Sequence, residues 1–281
     1  MKKITATYAF SKAWHMFWQN PLKHLGVFLL VFVVILFVVV INGFINLYIR
    51  LAFFDGADDS WAFAKNYVPD LMDKDLSLST LFGLLWVILV TEFLVQIIVY
   101  MGVLYIYGYA LDIVRNRYES ITKVFTRYIK FSTVLYYYLY SIVYSFASFL
   151  SLIPFIIATL VIPGEYTFIV SIIIWLLLNI YIAIRLSFVV LFLLDGYDFS
   201  EAISQSWKRT KHYVVDIFLL TVLGIVAAIL GLLVLVVGIF AAMPVIYFAR
   251  AIFYNEAIYE QQAQAEAQSP DEIIPPDLFQ R

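Results

Sequence analysis

Cysteine is absent from the 281-residue chain. That excludes disulfides, thiolate nucleophiles and cysteine-ligated metals together. Charge is also scarce: Asp, Glu, Lys and Arg make up 14% of the residues, against about 25% in an ordinary soluble domain. Histidine is limited to His15, His24 and His212, none of them near paired carboxylates at ligand spacing, so no metal site is expected. No phosphate-binding glycine loop, HExxH helix, nucleophile elbow or dinucleotide fingerprint occurs. These absences lead to the expectation of no catalytic residue and no cofactor. A formal net charge of −2 without a basic tail gives no sign of a nucleic-acid partner.

What is abundant is hydrocarbon. Hydrophobic residues make up 64% of the chain, well above the roughly 45–50% of a soluble domain. A bilayer core takes about 20 apolar residues as a helix, and six stretches meet that length: Leu25–Tyr48, Thr80–Ala110, Phe131–Ile162, Tyr166–Leu194, Tyr213–Leu230 and Leu232–Tyr254. The fifth and sixth run together without an intervening charge, and the split is placed near Gly231. The first apolar run starts too late for a secretory signal, and no small-residue cleavage site precedes the next domain, so it reads as a retained anchor.

Lys2, Lys3, Lys12 and Lys23 precede the first span, Arg115, Arg117, Lys123, Arg127 and Lys130 follow the second, and Lys208, Arg209 and Lys211 follow the fourth. The loop after the first span instead carries Asp55, Asp58, Asp59, Asp70, Asp73 and Asp75 against Lys65 and Lys74. By the positive-inside rule both termini are cytoplasmic.

The basic segments resemble one another. Phe10-Ser11-Lys12-Ala13 aligns with Phe199-Ser200-Glu201-Ala202, and Trp18 then falls on Trp207. Asn116–Lys130 fits the same frame, with Glu119 on Glu201, Phe125 on Trp207 and Arg127 on Arg209. Asn116 and Asp198 each stand three residues before a Glu, the capping-box spacing that starts a helix. Large apolar residues recur at helical spacing on one face. Such helices lie flat at the cytoplasmic interface, with Trp14, Trp18, Phe125 and Trp207 at headgroup level and cations toward anionic lipid. The fold expected is all-α and integral to the membrane: six spans as three parallel repeats of an amphipathic interfacial helix plus a transmembrane hairpin. The repeats cover about residues 9–115, 116–197 and 198–258 of a single domain over residues 1–260. Residues 261–281 are expected to form a disordered cytoplasmic tail.

The segment Arg185–Leu220, with an Arg-bearing span ending in an acid followed by an "EAISQSWKRTK" helix, resembles a stretch of certain bacterial membrane families. Val236–Tyr254 is similar to their terminal Gly- and Pro-containing span. These families include the membrane domain associated with some glycerophosphoryl diester phosphodiesterases. The resemblance implies a six-helix membrane module and no catalytic residues. Nothing in the chain resembles the soluble phosphodiesterase barrel.

The candidate polar site within the apolar runs consists of Glu92, Gln96 and Arg185. An ionisable group at mid-membrane is costly and draws a functional hypothesis. Glu92 has two readings: a proton- or cation-coupled transport site with Gln96 one turn away, or interhelical fastening to Asn42, Asn46 or Asn179, which is favoured. Arg185 either snorkels to headgroups or pairs with Asp112 or Asp195, with a phosphate role as a third reading. The function expected is a non-enzymatic membrane module assisting or organising other membrane components; the alternative is a transporter or channel for a small solute, ion or lipid. The partners expected are anionic lipid headgroups, with a protein partner or second copy also open.

Overall fold

The computed structural model describes residues 4–53, 78–161, 165–233 and 237–259. Most of these residues are helical, with no strand among them. In chain order the helices are α1 (Ala6–Gln19), α2 (Pro21–Phe53), α3 (Leu78–Val114), α4 (Ile121–Tyr128), α5 (Phe131–Leu150) and α6 (Leu152–Val161). They are followed by α7 (Glu165–Arg185), α8 (Val189–Leu194), α9 (Phe199–Arg209), a 3₁₀ turn (Thr210–Tyr213), α10 (Val214–Leu233), α11 (Val237–Phe253) and a π-helical segment (Tyr254–Tyr259). Among the described residues six helical stretches are long and apolar enough to cross a membrane: Pro21–Leu47, Trp86–Val114, Phe131–Ile157, Ile169–Leu194, Phe199–Leu233 and Gly238–Ile258. The aspartate-rich loop and the tail from Gln261 onward lie outside the described residues.

The chain divides into two compact units, residues 30–103 and residues 1–29 with 104–281. The first unit contains the parts of α2 and α3 that fall within residues 30–103. Gly102 lets them come close, because a Cβ there would stand 2.7 Å from Ile35 Cδ1. Small residues at such contacts let dispersion, rather than the hydrophobic effect, fasten helices in lipid.

In the second unit α1 packs on α11 through Ala6, Ala9, Ala13 and Phe17, all buried. The Thr5 hydroxyl caps α1 by accepting from the Tyr8 amide at 3.3 Å. Pro21 opens α2, a position where its missing N–H goes unused. Helices α10 and α11 form an antiparallel pair, and Gly231 and Gly238 meet backbone to backbone, a Cβ on Gly231 falling 2.6 Å from the Gly238 carbonyl oxygen. The sequence reading places the split between these spans near Gly231, and α10 ends two residues later, at Leu233, with α11 starting at Val237.

The capping expectation at Asn116 is corrected. Asn116 sits in the left-handed region, at φ 54°, and α4 starts later. Its cap is Ser120, whose hydroxyl accepts from the Lys123 amide at 3.3 Å. Asp198 does precede α9, but makes no side-chain cap bond.

The fourth stretch is broken at residues 186–188, between α7 and α8. The break frees backbone carbonyls inside an apolar segment, where each needs a donor. Ser206 Oγ and Thr210 Oγ1 donate to the Arg185 carbonyl at 2.9 and 3.2 Å, and Tyr140 Oη donates to that of Leu186 at 3.2 Å. Every side chain of α8 is buried.

Candidate functional site

Glu92 lies on α3 in the first unit. Its Oε1 accepts from Asn42 Nδ2 at 3.0 Å and Asn46 Nδ2 at 3.3 Å. Asn42 and Asn46 are one turn apart on α2, so both amides converge on one oxygen. Asn179, the third partner considered, instead donates to Ser151 Oγ and the Trp175 carbonyl, both at 2.9 Å. Glu92 is half-buried, whereas Gln96 is exposed.

The second unit contains a layer of acids near span ends. Asp112, fully buried, receives Arg127 Nη1 at 2.7 Å on both oxygens, and the Tyr128 hydroxyl at 2.8 Å. Gly108 makes room for this, since a Cβ there would overlap the Tyr128 ring. Burial works against the Arg127 charge, and the Asp112 carboxylate more than offsets it, holding the guanidinium above its ordinary range. Glu119 pairs with Lys123 and, at 3.4 Å, with Arg127. The Lys123 hydrogen bond holds its carboxyl below the usual range.

Asp195 is held in a fork by Arg115, with Nη1–Oδ1 at 2.6 Å and Nη2–Oδ2 at 2.9 Å. The Tyr254 hydroxyl adds a third bond at 2.7 Å, and Arg115 Nε reaches Asn255 Oδ1 at 2.9 Å. Lys12 of α1 meets Glu256 at 2.5 Å, which holds the Lys12 ammonium above its ordinary range. His24, buried, shares a 2.7 Å hydrogen bond with Tyr109 and rests edge-on against Phe248.

Arg185 differs from these pairs. Asp112 and Asp195 are taken by Arg127 and Arg115, so neither sequence-expected acid is its partner. The residue is only 3% exposed. Its guanidinium lies 4.7 Å over the Trp207 ring and 5.9 Å from that of Tyr181. Glu92 and Gln96 belong to the first unit and Arg185 to the second.

The remaining candidates are surface aromatics. Trp14, Trp18, Phe125 and Trp207 are 48, 56, 44 and 40% exposed. The residue just before each of the last three, Phe17, Val124 and Ser206, is buried. Gln19, Thr126 and Lys208, which follow them, are exposed.

Sequence reasoning missed Arg115, Tyr128, Tyr254 and Gly108 as parts of the acid layer. The available signal was an acid ending an apolar run, in "ALD" at Asp112 and "LLD" at Asp195, which calls for a buried cation. No family model, curated protein or solved structure matches this chain.

Proposed function

We propose that the chain is a non-enzymatic six-span module of the bacterial inner membrane that assists or organises other membrane components. In this reading it is built from three parallel copies of a flat helix plus a hairpin, with both termini cytoplasmic and anionic headgroups against the flat helices. The observation that carries it is the commitment of four carboxylates in and beside the spans to fixed partners. Glu92 joins two asparagines of α2, Asp112 joins Arg127, Asp195 joins Arg115 and Glu256 joins Lys12. Groups fastened in this way hold helices together, whereas a transport or catalytic carboxylate must be able to exchange partners.

The repeat is supported by burial in α1, α4 and α9. In the alignment that puts Trp18 on Phe125 and Trp207, Phe17, Val124 and Ser206 coincide and are all buried, while Gln19, Thr126 and Lys208 coincide and are all exposed. The 35-residue stretch Phe199–Leu233 exceeds what a bilayer needs, leaving the basic α9 segment outside the hydrocarbon. The resemblance to the phosphodiesterase-associated membrane domain fits the same architecture and carries no activity with it.

The second reading, a transporter using a mid-membrane carboxylate, rests on the half-burial of Glu92. Complementation of a deletion strain separates the two. Under the module reading Glu92→Gln reverses any growth or envelope defect of the deletion as fully as the wild type does, because an amide still accepts from Asn42 and Asn46. A folded Glu92→Gln protein that fails to complement would favour transport.

A further inference from the structure

Two nitrogens of Arg185, Nε and Nη1, are buried with no hydrogen-bond partner among the described residues. Arg115, Arg127 and Arg250 have acceptors in Asp195, Asp112 and the Tyr107 hydroxyl. The cation–π contact with Trp207 covers a face of the guanidinium. Its N–H groups lie in the plane and still require oxygen acceptors. A buried cation with donors left over is costly unless an anion completes it.

The backbone at this point is tied to the α9 segment. Arg185 is the last residue of α7, and its own carbonyl accepts from Ser206 and Thr210. Trp207, which lies between those two residues in sequence, places its ring 4.7 Å from the guanidinium. Trp207 and Tyr181 meet edge to face at 6.1 Å and are 40 and 43% exposed, so the roof over the cation borders the outer surface. Lys208 and Lys211 beside it are exposed. Indole and phenol rings at a lipid boundary mark headgroup depth, and guanidinium is the side chain best matched to phosphate oxygens.

We propose that Arg185, roofed by Trp207 and Tyr181, is a binding site for the headgroup phosphate of an anionic phospholipid. The site rests on the reading of α9 as an interfacial helix. Phosphate oxygens supply the acceptors that Nε and Nη1 lack, and the rings shield the pair from water.

The test uses the purified full-length protein, its Arg185→Gln and Arg185→Lys variants, and native mass spectrometry after detergent washing. Phosphatidylglycerol, phosphatidylcholine and inorganic phosphate are offered separately. The wild type should retain phosphatidylglycerol about tenfold or more better than Arg185→Gln, with Arg185→Lys between them. Equal retention by wild type and a folded Arg185→Gln overturns the site. If the Gln variant fails to fold, the wild type decides alone: phosphatidylglycerol must raise its unfolding temperature more than phosphatidylcholine does, and equal effects overturn the site. Stabilisation by inorganic phosphate as strong as by phosphatidylglycerol overturns the lipid assignment. Brominated lipid should quench a variant keeping Trp207 as its sole tryptophan. Quenching without Arg185-dependent retention sinks only the site, whereas absent quenching sinks the interfacial reading as well.

Discussion

At the scale of single residues, the geometry around Glu92 and Asp195 gives different mutational consequences. Glu92 contributes two amide bonds between helices, and such bonds in membrane proteins are worth about 0.6–1.7 kcal/mol. Glu92→Gln should therefore unfold near the wild-type temperature, while Glu92→Ala should lose about 1 kcal/mol, read by thermal unfolding in detergent. Asp195 is another case, since its removal strands Arg115 in a buried setting. Asp195→Ala should cost about 3–5 kcal/mol, and the double variant Asp195→Leu/Arg115→Met should recover much of that. A single variant as stable as the wild type would show that the fork is not needed to hold the helices. These partners were not legible in the sequence, because Arg115 and Asp195 lie 80 positions apart and no local pattern links them. Glu92 and its asparagines were legible, because polar residues in adjacent apolar runs have few partners to choose from.

At the scale of helices, close approach decides more than propensity does. Gly108 gives the Tyr128 ring its place, and that ring delivers a hydroxyl to Asp112. Gly108→Val should displace Tyr128 and destabilise by about 1–3 kcal/mol, as overpacking does; Tyr128→Phe, which keeps the ring, should cost less. The comparison is made by unfolding in detergent. The six apolar runs were readable because hydrocarbon thickness dictates their length. Their ends were less so. Asn116 has the spacing of a capping residue but occupies a left-handed turn, and Ser120 takes the cap. Gly231 stands two residues before the end of α10, and it also makes a backbone contact with Gly238 that its position in the sequence does not announce. The break after Arg185 had no proline or glycine to announce it. Hydroxyls from α9, the 3₁₀ turn and α5 sustain it, and they come from elsewhere in the chain.

At the scale of the whole molecule, the account stands on α1, α4 and α9 being three copies of one element on one side of the membrane. A chain without cysteine suits the decisive measurement, since each introduced thiol is unique. Gln19→Cys, Thr126→Cys and Lys208→Cys occupy aligned, exposed positions and should leave stability within about 0.5 kcal/mol. A membrane-impermeant maleimide is applied to intact spheroplasts and to inverted vesicles. All three thiols should react only in inverted vesicles, while a thiol placed at Asp59 should react only in spheroplasts. Labelling of Thr126→Cys and Lys208→Cys from opposite sides would contradict the parallel repeat, and with it the module built upon it.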